Sequence, residues 1–112
     1  MKDDKLYLIH ILECIGHIED YCQKGREEFL HSRLQQDAVM RNFEIMGEAT
    51  KHISDKLKKA YATIPWKRIA GFRDVLIHNY MGVEVESVWQ IIDKDLPGLK
   101  RKIQRIRKTL EE

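Results

Sequence analysis

Apolar residues recur every three to four positions along this chain, and no stretch sustains the two-residue alternation of a strand. Leu8, Ile11, Ile15, Ile18 and Cys22 form a first helical stripe, with Asp3 or Asp4 as candidate N-cap and Gly25 as a stop. The short segment from Arg26 to His31 is expected to turn the chain. Ser32 with Gln35 makes a capping-box start for a second helix. Val39, Phe43, Met46, Ile53 and Leu57 then recur at helical spacing, which predicts one uninterrupted element. Gly47 lies inside it, where glycine costs about 1 kcal/mol relative to alanine. Close approach of a neighbouring helix is the expected compensation.

Pro65 fits the first turn of a third helix, whose buried side is expected to be Trp66, Ile69, Leu76 and Ile77. Gly71 is a candidate break, and Gly82 a stop after Tyr80. A fourth helix is expected from about Glu84 to Lys94. Pro97 should start or kink a last one carrying Leu99, Ile103, Ile106 and Leu110. Short connections between such elements give an all-α, antiparallel bundle of four to five helices. A chain of 112 residues can bury roughly 60–70% of its unfolded surface, enough for one core, so residues 1–112 are read as a single domain.

Composition narrows the setting. No apolar run approaches the roughly 18 residues that cross a bilayer, and Met-Lys-Asp-Asp-Lys at the start lacks the apolar stretch of a signal peptide. A cytoplasmic protein with no membrane partner is expected. Cys14 and Cys22 are separated by roughly 12 Å of helical rise, beyond the roughly 7 Å that a disulfide spans, so both should be reduced. The net charge of +2 says little about partners. Its distribution says more: Lys100, Arg101, Lys102, Arg105, Arg107 and Lys108 crowd the 100–108 run. That run is either a solvated helix face or a contact for RNA or a partner.

The densest chemistry lies in Arg73-Asp-Val-Leu-Ile-His78-Asn-Tyr80. Arginine keeps its charge and grips phosphate oxygens with a forked set of donors. Histidine gives and takes protons near neutral pH. Together they suit cleavage of a phosphodiester without a metal. Asp74, one turn before His78, could accept an imidazole N–H and fix its tautomer. The same Arg-Asp-x3-His face could also be a plain surface ion-pair ladder.

Helix geometry constrains the catalytic reading. Arg73 and His78 stand about 140° apart around a regular helix, whereas Arg73 and Tyr80 fall within about 20° of each other. Arg73 and His78 can meet at one phosphate through the long arginine arm, through a helix break near His78, or through a second chain.

Other groupings compete. His10, Cys14 and His17 share one stripe, as do Glu44, Glu48 and His52. A di-iron bundle needs Glu-x-x-His on each of two helices, and that pattern occurs once, as Glu28-Phe-Leu-His31. Zinc is chemically possible at Cys14 with two histidines, but no metal and no cofactor is expected. Glu44 and Glu48 are expected to form an ion-paired patch near Arg41, with no catalytic part. Trp66 and Trp89 should be core or interface anchors.

Three blocks carry a resemblance. They are Ile64-Pro-Trp-Lys-Arg-Ile-Ala-Gly-Phe-Arg-Asp-Val-Leu-Ile-His-Asn-Tyr80, Gln36-Asp-Ala-Val-Met-Arg-Asn-Phe-Glu-Ile-Met-Gly-Glu-Ala49 and Val88-Trp-Gln-Ile-Ile-Asp-Lys-Asp-Leu-Pro97. Taken in their order along the chain, they resemble the HepT-like toxins of the HEPN superfamily, all-helical ribonucleases paired with a minimal nucleotidyltransferase antitoxin. The resemblance implies an endoribonuclease toxin acting on RNA, with no DNA expected, through Arg73 and His78 and with Asp74 in support. It further implies that the antitoxin transfers AMP to Tyr80 and silences the enzyme. Given helical spacing, that AMP is expected to crowd Arg73. With one motif histidine per chain, a homodimer would supply both acid and base. The alternative is a non-catalytic subunit that presents nucleotide or substrate to a nucleotidyltransferase, with Arg73 binding phosphate only.

Overall fold

The first helix, α1 (Lys2–Tyr21), buries Leu8, Ile11, Ile15 and Ile18 completely, while Cys22 is half-buried just beyond its end. The computed structural model describes residues 2–111. The first helix ends at Tyr21, four residues ahead of the expected stop, and Gly25 closes the turn that follows at φ 92°, a left-handed conformation that a side chain would strain. Where a plain turn was expected, the chain makes a short helix, α2 (Arg26–Leu30), because Phe29 drops into full burial beside Trp89. Gln36 closes α2 by donating from Nε2 to the Phe29 and Leu30 carbonyls at 3.0 and 3.1 Å.

Ser32 starts α3 (Arg33–His52) as predicted, its Oγ accepting the Gln35 N–H at 3.1 Å. The expected single helix through Leu57 is split, however, by a cap supplied from α1. Asp4 is itself buried, and its carboxylate accepts the Ser54 N–H at 2.8 Å and the Ser54 hydroxyl at 2.6 Å. Ile53 turns extended and enters the core, and Ser54 Oγ then caps α4 (Asp55–Ala60) through the Leu57 N–H. Asp4 therefore ends a distant helix, although it was expected to cap its own.

Pro65 immediately precedes α5 (Trp66–His78), which runs through Gly71 without a break. Its inner stripe is Trp66, Ile69, Phe72, Arg73 and Leu76, while Ile77, expected inside, is exposed. Trp66 and Trp89 both pack into or against the core, as expected. The helix ends at His78, and Tyr80–Gly82 form a 3-10 turn where helical continuation to Tyr80 was expected. The last stretch departs differently. α6 (Val85–Gln90), a π turn (Ile91–Asp95) and α7 (Leu96–Glu111) follow one another without interruption. Proline lacks the N–H that an α-helix needs and crowds the preceding turn. The wider π turn just ahead of Pro97 accommodates both defects.

Pairings along the helices fix their directions. Asp4 meets Ser54 and His17 meets Asn42, so α1 and α3 are antiparallel. Asp37 meets Tyr80 and Phe43 meets Phe72, which sets α5 antiparallel to α3. Lys5 pairs with Glu111 and Glu19 with Lys100, so α7 runs antiparallel to α1. The result is the predicted all-α antiparallel bundle with α3 at its centre. Both cysteines are free, and burial pushes each thiol up to about 11. No helix among the described residues is long and apolar enough to cross a membrane.

Gly47 is where α3 and α5 come closest. A Cβ there would collide with Arg73 Cβ and lie 3.1 Å from the Ile69 carbonyl oxygen. Gly47→Ala gains about 1 kcal/mol of helix propensity, against an overpacking cost of about 1–3 kcal/mol where backbone blocks relaxation. The expected net result is destabilisation, read as a lower midpoint in thermal melts, with a larger drop for Gly47→Val. A Gly47→Ala protein that melts above wild type would show that the two helices separate freely.

Candidate active site

Arg73 leaves α5 towards α3, because its Cβ sits over the bare Cα of Gly47. Its guanidinium lies between two carboxylates, with Nε 2.9 Å from Glu48 Oε2 and Nη1 donating to Asp74 Oδ1 at 3.2 Å. Glu48 reaches on with Oε1 to His52 Nε2 at 3.3 Å, and the His52 ring stacks on Tyr7 with centroids 5.0 Å apart. Asp74 also accepts from Lys51 Nζ at 2.8 Å. Lys51 first, and Arg73 second, hold the Asp74 carboxyl below the usual carboxylate range. Two cations thus face two carboxylates, and Nη2 of Arg73 makes no hydrogen bond among the described residues. A guanidinium so placed can still present donors to a phosphate.

His78 is the last residue of α5 and is exposed. Because the helix is regular through both residues, the separation of about 140° from Arg73 persists within one chain. The helix break falls after His78, so it does not bring the imidazole round. The arginine arm is held between Glu48 on α3 and Asp74, one turn before His78. The expected Asp74–His78 hydrogen bond is not formed among the described residues; Lys51 occupies Asp74 instead.

Tyr80 is placed differently from the helical expectation. Asn79 leaves helical geometry at φ −146°, and the 3-10 turn carries the phenol to the beginning of α3. Its hydroxyl donates to Asp37 Oδ1, which also accepts from Arg33 Nε at 3.1 Å. Asp37 and Glu48 lie roughly 16 Å apart along α3, so Tyr80 and the Arg73 guanidinium meet α3 at well-separated points. Tyr80 and Arg33 lower the Asp37 carboxyl from its ordinary value, while burial, then Asp37, raises the phenol. A cleft of about 120 Å³ adjoins Tyr80, lined also by Arg33, Gln36, Asp37, Met40, Val83 and Val85 among others.

Glu44 pairs with Arg41 at 3.1 Å as expected, but Glu48 departs from that patch to hold Arg73. Sequence spacing along one helix could not assign Glu48, Lys51, Arg33 or Asp37 to the motif, since each meets it across the α3–α5 interface. The usable signal was Gly47, which marks where that interface closes. The candidate metal stripes stay dispersed: Cys14 is buried, His17 turns to Asn42, and His31 bonds the Glu27 carbonyl. No cluster of three or more ligating side chains occurs among the described residues. In the basic run, Lys100 pairs with Glu19 and Arg107 with Glu111. Arg101, Arg105 and Lys108 line a shallow outer groove.

Residues 11–106 match the family described as Ribonuclease HepT-like. The chain is 41% identical over 108 residues to the "Probable ribonuclease HepT" of Thermococcus cleftensis, covering 96% of this chain and 98% of that protein. It is 38% identical over 107 residues to a "Putative RNase" of Caldanaerobacter subterraneus subsp. tengcongensis, covering 95% and 96%. A "Gamma-glutamylcyclotransferase and putative RNase" of Methanocaldococcus jannaschii is 44% identical over 112 residues, which are 99% of this chain but 50% of that longer protein. No solved structure matches the chain. With residues 11–106 matched by the family and 96% of the chain aligned to a relative at 41% identity, this chain belongs to the HepT-like ribonuclease family of the HEPN superfamily.

Proposed function

We propose that this protein is the endoribonuclease toxin of a toxin–antitoxin pair, that it cleaves RNA without a metal, and that its site is completed by a second copy of the chain. One observation carries the reading: Arg73 and His78 sit on one rigid helix yet face different ways, with His78 exposed beside uncovered neighbours. Gly71, Val75 and His78 share the outer face of α5; Val75 is 48% exposed and a Cβ at Gly71 would meet nothing. Two such faces packed about a two-fold axis would bring two histidines to one cleft.

The chemistry follows from those parts. The His78 imidazole of one chain removes the proton of a 2′-hydroxyl, whose oxygen attacks the adjacent phosphorus. The P–O5′ bond breaks as the second chain's imidazole protonates the leaving oxygen. Arg73 steadies the charge gathered on the non-bridging oxygens. Asp74 supports by holding Lys51 and Arg73 in place. The nucleotidyltransferase antitoxin silences the enzyme by transferring AMP to Tyr80. Since the phenol lies at Asp37, the added group acts there and on the turn that follows His78. It does not act by crowding Arg73 of the same chain.

RNA cleavage is expected to persist in EDTA and to leave a 2′,3′-cyclic phosphate or 3′-phosphate beside a 5′-hydroxyl. End-group mapping checks this, and activity restored only by magnesium would overturn it. His78→Ala and Arg73→Ala should each lower cleavage by about 10²–10⁴-fold with the melting curve retained. Asp74→Ala should cost less. Wild-type cleavage by a folded His78→Ala protein would overturn the role of His78 as acid and base. Light scattering should give the mass of two chains, and Val75→Arg should yield an inactive single chain. Full activity from that monomer would exclude a shared site.

A further inference from the structure

The Tyr80 hydroxyl is held by a group that can also take its proton. Asp37 is fixed on α3, and its Oδ1 both accepts from the phenol and is oriented by Arg33 Nε at 3.1 Å. The contact joins residues 43 apart in sequence, across the junction between α3 and the turn after His78. Tyr80 and Asp37 together line the neighbouring cleft, and of its lining only Arg33, Asp37 and Tyr80 itself ionise. A tyrosine that merely packed a helix end would require neither a carboxylate at its oxygen nor a guanidinium behind that carboxylate.

We propose that Asp37 is the general base for nucleotidyl transfer to Tyr80, with Arg33 positioned to hold the phosphate once it is attached. The inference rests on the reading of Tyr80 as the AMP acceptor. In the step, Tyr80 Oη attacks the α-phosphorus of ATP held by the partner nucleotidyltransferase. The Oη–P bond forms as the bond from that phosphorus to the pyrophosphate oxygen breaks. The phenolic proton passes to the Asp37 carboxylate, and pyrophosphate leaves with the electron pair. The product no longer has a hydroxyl proton to donate, and its phosphate is repelled by Asp37 and attracted by Arg33 four residues earlier on the same helix. Modification therefore exchanges one partner on α3 for the other and loosens the turn that follows His78.

Asp37→Asn separates this role from a structural one. The asparagine carbonyl still accepts the phenol's hydrogen bond, but the amide cannot take the proton. The full chain, as wild type, Asp37→Asn, Asp37→Glu and Tyr80→Phe, is incubated with a minimal nucleotidyltransferase from its own genome and ATP. The rate of AMP addition is followed by mass spectrometry of the peptide bearing residue 80. Wild type should be modified on Tyr80 and Tyr80→Phe should not. Asp37→Asn should be slowed roughly tenfold or more with unchanged affinity for the partner, and Asp37→Glu should recover part of the rate. The ratio of the Asp37→Asn rate to the wild-type rate should also climb as pH is raised from about 7 to about 9, because the phenol must then ionise unaided. Wild type modified at Tyr80, with Asp37→Asn equally fast at every pH, would overturn the role of Asp37 alone. Wild type left unmodified would overturn both this role and the assignment of Tyr80 as acceptor.

Discussion

The contact of Gly47 with the Arg73 Cβ and the Ile69 carbonyl governs everything that follows it in space. Without a side chain at 47, α5 settles directly on α3, and that one approach decides where three functional groups go. Arg73 is pointed along α3 into Glu48. Asp74 comes within reach of Lys51. The end of α5 is set so that the next turn delivers Tyr80 to Asp37. His78, on the far side of the same helix, is left facing outward. Two of the three sequence blocks, Gln36–Ala49 and Ile64–Tyr80, meet at this junction although they are separated in the chain, while the third packs on α2 and α7.

Much of the fold was legible because its cause is local. The stripes Leu8–Ile11–Ile15–Ile18 and Ile103–Ile106 follow the helical period and are buried. Ser32 signals its cap within three residues, and Gly47 signals a close approach by its poor helix propensity. What could not be read depends on distant partners. The break at Ile53 and Ser54 is made by Asp4, 50 residues away. The stop at His78 and the 3-10 turn after it owe as much to Tyr80 finding Asp37 as to any local breaker. Pro97 looked like a boundary, yet the π turn ahead of it let the helix continue.

The site divides along the same line. The angular mismatch between Arg73 and His78 needs only helix geometry, so it was visible in the spacing alone. The apparent alignment of Arg73 with Tyr80 used the same geometry and failed, because the helix ends between them. Glu48 shows the limit from the other side. Its position four residues after Glu44 suggested a shared patch near Arg41, whereas the neighbouring glycine placed it against α5.

The ion pairs of Arg73 with Glu48 and Asp74 have one more consequence. These carboxylates are tethered competitors for any anion that approaches the guanidinium. A ligand must outbid a local carboxylate concentration that tethering keeps in the millimolar range or above. A lone phosphate has little with which to do so. A polymer that places several phosphates on the protein at once gains from each additional contact and from the counterions that it releases. If Arg73 holds RNA as proposed, its neighbours favour a chain over a lone phosphate, and the length of the ligand becomes part of what the site recognises.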